Sequence, residues 1–165
     1  MKSHFYTVNM EKNNRELIIR PFEEGDWQAI CRIHDEARMI ELQSAGLEQA
    51  FLPLWIAADR EGLFDYTVEV AELDGSVAGF IAYEDGELGW LYVDPARHGH
   101  GIGGALVDRA CDRSRKPLTL EVLVGNESAR AMYEHKGFSV RKTISGRMPG
   151  NESFSVTVYE MQKQG

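Results

Sequence analysis

The segment that decides the fold runs from Val93 to Leu106 and reads VDPARHGHGIGGAL. β-forming residues precede it, and the apolar spacing that follows predicts a helix from Gly101 to about Ser114. The glycines therefore lie between a strand and a helix, where free backbone amides and the positive helix end favour an anion. Glycine costs roughly 0.5–1 kcal/mol in ordering entropy, so a turn without a ligand does not explain four of them. The first hypothesis is a phosphate-binding loop.

Three β-rich runs precede this loop, over residues 66–73, 77–83 and 88–93. An Asp-Gly pair separates each run from the next, at positions 74–75 and 85–86. Asp-Gly is typical of tight hairpin turns, because both residues tolerate the left-handed backbone that these turns require. The three runs therefore predict an antiparallel meander that leads into the loop.

The remaining segments show the periodicities of further helices and strands. Strands are predicted over residues 17–21, 118–124, 138–144 and 154–161, and helices from Asp26 to Ala37, around residues 47–60 and over residues 126–136. Asp26 and Asn126 are the expected helix caps, and Pro53 is expected to kink or restart the second helix. The order predicts an α/β (α+β) mixed sheet with helices on both faces.

Length and composition indicate one globular domain. The chain has 165 residues, of which 43% are hydrophobic and 27% charged, as in ordinary folded domains. We expect a flexible N-terminal tail over residues 1–15 and a single domain over residues 16–165. The net charge of −8 argues against a nucleic-acid groove, which requires clustered positive charge.

The chain start and the cysteines bear on the compartment. The first fifteen residues are polar and contain no apolar run that resembles a signal peptide or a membrane span. Cys31 and Cys111 are far apart in the sequence and favour a reducing compartment over a disulfide framework. The sequence therefore predicts a cytoplasmic protein without a membrane partner.

Two other ligands of the glycine loop are considered. Gly99, Gly101 and Gly104 match the Gly-x-Gly-x-x-Gly pattern of dinucleotide-binding oxidoreductases, with Glu121 in the position of a ribose-binding acid. In that fold the first glycine directly follows the opening strand, whereas residues 94–98 intervene here after hairpin strands. His98 and the nearby His100 have no third ligand at a recognisable spacing, so no metal site is predicted.

Two blocks of the sequence resemble the GNAT superfamily of N-acyltransferases. Residues 93–106 resemble its acyl-CoA-binding motif, Arg/Gln-x-x-Gly-x-Gly/Ala, and residues 126–138, NESARAMYEHKGF, resemble its Asn-x-x-Ala-x-x-x-Tyr-x-x-x-Gly-Phe block. The predicted element order from Leu17 to Met161 is also similar to the family fold. The resemblance implies a central, mostly antiparallel sheet flanked by helices. It also implies an N-acetyltransferase that moves an acetyl group from acetyl-CoA to a primary amine by direct attack.

The resemblance implies a cofactor site along the strand before the loop, the loop itself and the second block, residues 126–138. Its residues are Leu91, Tyr92, Val93, His98, Gly99, His100, Gly101, Ile102, Gly103, Gly104, Asn126, Ala129 and Tyr133. The backbone N–H near Val93 is expected to polarise the thioester carbonyl. His98 departs from the motif's Arg/Gln, and Arg97 stands one residue earlier, so either side chain is a candidate for the phosphate contact.

Two catalytic residues follow from the same resemblance. Tyr133 matches the tyrosine that protonates the departing thiolate of CoA, although it also fits as an aromatic packed beside Phe138. Glu87 is the candidate base for the amine, although it also fits as a charge at the mouth of a hairpin.

The acceptor side is less defined by the sequence. His34, Glu36, Arg38 and Glu41 lie in a region that lines the acceptor pocket in the family, but the helical pattern predicts mostly a solvated face. The segment from Arg147 to Glu152 either completes that pocket or only reverses the chain, and its Pro-Gly-Asn content favours a simple turn.

Two questions stay open from the sequence. A non-catalytic acyl-CoA-binding module is the alternative function, against which the presence of Tyr133 and Asn126 argues. A homodimer through the terminal strands or the meander edge is compatible with the family and with common two-fold symmetry.

Overall fold

The computed structural model describes residues 5–10 and 15–165, in which eight strands form one sheet flanked by four helices. In chain order the elements are β1 (Tyr6–Met10), β2 (Arg15–Pro21), α1 (Trp27–Ser44), α2 (Leu54–Arg60), β3 (Thr67–Leu73), β4 (Ser76–Glu84), β5 (Glu87–Val93), α3 (Ile102–Arg113), β6 (Thr119–Leu123), α4 (Glu127–His135), β7 (Phe138–Met148) and β8 (Asn151–Lys163). The strand order is β1-β2-β3-β4-β5-β6-β8-β7, and every neighbouring pair is antiparallel except β5 and β6. The predicted mixed, mostly antiparallel sheet is confirmed.

The core lies on both faces of the sheet, because alternate residues of a strand point to opposite sides. On one face, Phe80 of β4 packs in a cluster with Ile30 of α1. On the other face, Ile81 packs in a cluster with Leu106 of α3. This three-layer arrangement fits helices on both faces. Within the described residues, no helix is long and apolar enough to cross a membrane.

The predicted N-terminal tail contains a strand. Residues 6–10 form β1, which pairs antiparallel with β2 and places Tyr6 and Val8 against the core. The assignment of this part to a flexible tail is wrong, because the strand depends on a partner and not on a local turn signal. The rest of the predicted tail, apart from Phe5 and Arg15, lies outside the described residues.

Asp26 acts differently from the predicted cap. Its side chain makes no cap hydrogen bond to α1. Instead its two carboxylate oxygens accept bonds of 2.8 Å from both terminal nitrogens of Arg20 in β2. The bidentate charge-assisted pair is stronger than a neutral cap bond, and both residues are buried. Asp26 therefore ties the start of α1 to the sheet, while Pro53 precedes α2 as a restart.

The sheet opens at its centre. β5 and β6 are parallel neighbours that share one aligned pair, Glu87 with Thr119. Beyond that pair β5 continues along β4 to Val93, while β6 continues along β8 to Leu123. The facing edges of the two strands are left without partners, and this opening positions the site.

Candidate active site

A groove of about 670 Å³ follows the opening between β5 and β6. The loop before α3 and the first turns of α4 close its walls. All of the predicted cofactor residues line this groove except His100. The structure therefore brings together, from separate segments, twelve of the residues that the sequence resemblance implied.

The edge of β5 presents backbone groups to the groove. The N–H of Asp94 donates to the carbonyl of Ala78 in β4, at 2.8 Å. Successive residues of a strand direct their peptide groups to opposite edges, so the N–H of Val93 points away from β4 and toward the groove. This is the amide that the family resemblance implies beside a thioester carbonyl.

The glycine loop presents further amides. Gly99 and Gly101 have left-handed backbone, with φ of 83° and 75°, which explains the glycines there. The first intrahelical bond of α3 runs from Ala105 N to the carbonyl of Gly101, at 3.0 Å. The amides that precede Ala105 in α3 have no intrahelical acceptor, as at every helix start. The loop is thus a cradle of N–H donors at the positive end of a helix.

The structure separates the roles of Arg97 and His98. The Arg97 guanidinium donates to the carbonyl of Leu73 at 3.2 Å and to the hydroxyl of Ser76 at 2.8 Å, which lie at the turn between β3 and β4. The side chain of His98 is exposed beside the groove. Of the two candidates for a phosphate contact, only His98 therefore has its side chain uncommitted among the described residues.

Tyr133 lies at the inner wall of the groove and is 7% exposed. Its ring packs edge-on against Phe138, with 5.6 Å between centroids, so the predicted packing beside Phe138 is confirmed. Burial is the main cause that raises the pKa of its hydroxyl, and the negative Glu41 adds to it. The hydroxyl of Tyr133 therefore keeps its proton at neutral pH. Asn126 caps α4 through a 3.4 Å bond from Ala129 N and also lines the groove.

A second cavity of about 740 Å³ joins the groove. Seven residues line both spaces and form the junction, and Glu41 and Tyr92 are among them. Glu87 lines only the second cavity, where it accepts a 2.8 Å bond from the hydroxyl of Tyr66. The strands diverge at Glu87, so this carboxylate lies at the closed end of the opening.

Comparison with known protein families agrees with this geometry. The sequence model of the acetyltransferase (GNAT) family matches residues 27–138, which include both walls of the groove. The chain belongs to the GNAT acetyltransferase family. An uncharacterized N-acetyltransferase of Methanocaldococcus jannaschii is 31% identical over 103 residues, which cover 53% of this chain and 43% of that relative. The match thus spans less than half of that curated relative.

Solved structures show the same fold as this GNAT chain. A GCN5-related N-acetyltransferase from Rhodopseudomonas palustris superposes with a TM-score of 0.72 at 19% identity, covering 99% of this chain and 100% of that one. An acetyltransferase from Salmonella typhimurium, solved with its cofactor acetyl-CoA, has a TM-score of 0.65 at 22% identity and covers 90% and 93%. These comparisons confirm the predicted GNAT-like fold.

The prediction of a solvated face for the first helix of this GNAT chain is wrong in part. Glu36 is exposed, but His34 is 2% exposed, and His34, Arg38 and Glu41 all line the second cavity. The rings of Trp90 and Tyr92 in β5 pack against His34, at centroid distances of 6.0 and 4.8 Å. Burial follows from this strand, which the helical periodicity alone does not reveal.

The turn between β7 and β8 also contributes to the cavity. Met148, Pro149, Gly150 and Glu152 line it. Arg60 of α2 donates a 3.0 Å bond to the carbonyl of Gly150, which holds the turn over the cavity. The favoured interpretation of a simple chain reversal is therefore incomplete.

Asp94 is a structural residue of the site that sequence reasoning missed. It is 5% exposed and accepts bonds from the N–H of Ala96 at 3.0 Å and from Arg32 of α1 at 2.9 Å. It thereby anchors the start of the loop to a helix of the opposite layer. The Asp-Pro pair at 94–95 was the available signal, since Asp before a turn often caps it. In the described part of the chain, no three His, Cys, Asp or Glu side chains are grouped to hold a metal ion.

Glu61 in the second cavity makes stability depend on pH. The pKa of its carboxyl is raised to about 7, mainly by burial, while Arg38 lowers it and Glu152 and Glu41 add to the increase. A folded pKa above the unfolded value means that the folded state binds more protons, so this residue destabilises the fold as the pH rises from about 4.5 to 7.

We expect Glu61→Gln to increase the free energy of unfolding at pH 8 by about 1–2 kcal/mol, with no gain at pH 4. Urea denaturation across that range measures it. Glu16→Gln, at an exposed position of β2, is the matched control, because it removes the same charge outside the cavity. An equal gain at both pH values would contradict the argument.

Proposed function

We propose that this protein transfers an acetyl group from acetyl-CoA to a primary amine within a ternary complex. The observation that carries the proposal is the junction of the groove with the second cavity. A thioester held in the groove and an amine held in the cavity would meet at Tyr92 and Glu41, which line both. The names of relatives, N-acetyltransferases among them, and the acetyl-CoA in the Salmonella structure support this assignment.

The cofactor would lie along β5 with its pyrophosphate on the glycine loop. The amides before Ala105 and the left-handed Gly99 suit two negatively charged phosphates. The N–H of Val93 would donate to the thioester carbonyl. One preorganised donor of this kind lowers the barrier by roughly 2.7–4 kcal/mol, because negative charge grows on the oxygen in the transition state.

Two protein groups would handle the protons of the transfer. The amine nitrogen attacks the carbonyl carbon, a C–N bond forms, and the C–S bond to CoA then breaks. Glu87 would accept the proton that the amine loses, through a chain of water molecules in the second cavity, and Tyr133 would donate its proton to the sulfur. Burial raises the thiol pKa of Cys31 and of Cys111, so neither is an activated nucleophile, which agrees with direct attack.

A free-thiol release assay with acetyl-CoA tests the proposal. It is run against small amines, amino acids and basic peptides, beside a calorimetric titration of acetyl-CoA. Turnover of an amine supports the transferase. Binding without turnover of any member would favour a non-catalytic acyl-CoA-binding module, and the absence of binding would overturn both.

Gly99→Ala is expected to weaken acetyl-CoA binding by about tenfold or more. The variant adds a methyl group in the cradle and strains a left-handed residue, at roughly 1–2 kcal/mol. Gly75→Ala is the matched control, because Gly75 has nearly the same φ, 79° against 83°, and lies in the hairpin turn after β3. A Cβ at either position meets no atom within 4 Å.

The two variants are expected to lose similar stability, while only Gly99→Ala loses affinity in the titration. Equal affinity in both variants would remove the loop from the proposed phosphate site.

A further inference from the structure

The second cavity carries an excess of negative charge. Six glutamates and two arginines line it, namely Glu41, Glu61, Glu87, Glu121, Glu152 and Glu160 with Arg38 and Arg60. Both arginines are engaged: Arg38 donates to Glu41 and to the sulfur of Met148, and Arg60 donates to Gly150. The cations of the wall are thus used in holding the wall together.

Three of the six carboxylates have no protein partner. Glu61, Glu121 and Glu152 make no hydrogen bond or ion pair with any residue that the structure describes. Glu61 follows α2, and Glu152 is the second residue of β8. Burial is the main cause that raises the pKa of Glu61, and repulsion by the negative Glu152 adds to it. A positive group between them would relieve that repulsion.

His34 gives an independent indication of the ligand's chemistry. The ring is 2% exposed, and its Nδ1 lies 2.9 Å from Oδ1 of Asp35. The same oxygen accepts a 2.9 Å bond from the N–H of Leu54, so Asp35 is the acceptor and the hydrogen-bond network assigns the proton to Nδ1.

The other nitrogen of His34 is then an acceptor without a protein partner. Burial lowers the pKa of His34, against the raising effect of Asp35 and in the same direction as Arg38, so the ring is neutral. Nε2 has no bond among the described residues, yet it is not a buried unsatisfied atom, so it is reached from the cavity that His34 lines. The three unpaired carboxylates and Nε2 of His34 are therefore acceptors in this wall, and they match a ligand whose polar groups are N–H donors.

We propose that the acceptor of this enzyme is an amine that carries a second cationic group, as an α,ω-diamine does. The inference rests on the proposed acetyl transfer and specifies its substrate. The reacting amine would lie at the junction with the groove, beside Glu41 and Tyr92. The second ammonium would lie between Glu61 and Glu152, which line only the second cavity.

Three matched acceptors test this inference in the thiol-release assay. They are 1,5-diaminopentane, n-pentylamine, which lacks the second charge, and 5-aminopentanoate, which reverses it. We expect kcat/KM for the diamine to exceed that for each of the others by about tenfold or more, and we expect the advantage to shrink at high salt. Equal values for the diamine and n-pentylamine, or a preference for 5-aminopentanoate, would overturn the inference and leave the transferase intact.

Variants locate the second charge. The double variant Glu61→Gln/Glu152→Gln is expected to lower kcat/KM for the diamine by about tenfold while changing that for n-pentylamine less than about twofold. Glu16→Gln is the control for a general loss of negative charge. A loss of the same size with both amines would show that the two carboxylates do not bind the second ammonium.

A binding experiment separates failure of this inference from failure of the proposed function. Calorimetry with CoA already bound compares 1,5-diaminopentane with n-pentylamine and needs no turnover. Tighter diamine binding without turnover of any amine would overturn the transferase but support the dicationic site. Equal or undetectable binding of both amines would overturn the inference by itself.

Discussion

Tyr133→Phe is expected to lower kcat about 100-fold or more while the Kd for acetyl-CoA changes less than about twofold. The substitution removes one hydroxyl and keeps the ring that packs edge-on against Phe138 at 5.6 Å. The hydroxyl makes no hydrogen bond within the described residues, and its pKa is raised by burial. Its loss therefore leaves the fold unchanged and removes the proton that the departing thiolate needs. Stopped-flow thiol release and calorimetric titration measure the two quantities.

Tyr159→Phe is the matched control for this prediction. Tyr159 lies in β8, lines neither the groove nor the second cavity, and contacts Arg130 through its ring, with 4.6 Å to the centroid. The control is expected to retain kcat. An unchanged kcat in Tyr133→Phe would show that Tyr133 serves only to pack, and equal losses of kcat and affinity would show that it shapes the cofactor groove.

Arg109→Met is expected to lower the free energy of unfolding by about 3–5 kcal/mol at pH 7. Arg109 lies in α3, the helix that begins at the glycine loop, and its Nη2 donates to Oε2 of Glu69 in β3 at 3.1 Å. Glu69 is 3% exposed and also accepts from the hydroxyl of Tyr83. Methionine fills a similar space but leaves a buried carboxylate without its cation. Urea denaturation measures the loss.

The partner substitution tests the cause of that loss. Glu69→Gln keeps an acceptor for Tyr83 and removes the charge, so the double variant Arg109→Met/Glu69→Gln is expected to recover about half of the lost stability. A double variant as unstable as the sum of both single changes would assign the effect to packing alone.

The groove was predictable because its determinants are local. The Asp-Gly turns, the left-handed glycines at 99 and 101 and the cap at Asn126 each depend on residues close in sequence. Local backbone preferences act in the same way in any fold that contains them. The two motif blocks therefore predicted both walls of the groove, and twelve of their implied residues line it.

The acceptor cavity was predictable only in outline. The helical spacing around His34 predicts a solvated face, but Trp90 and Tyr92 of β5 cover this residue. Those rings come from a strand far along the chain, and no periodicity within the helix reports them. The turn at 148–151 likewise reverses the chain by its own composition, but its position over the cavity depends on Arg60.

The sequence by itself determined the strand–loop–helix order, the donor-rich loop and the family, because these depend on short-range backbone chemistry and on motifs. Tertiary structure alone decided which charges meet. It directed Arg97 to the β3–β4 turn and placed six glutamates around one cavity with His34. Burial and long-range pairing set these contacts, since desolvation and electrostatic repulsion depend on distances in space that residue order does not encode.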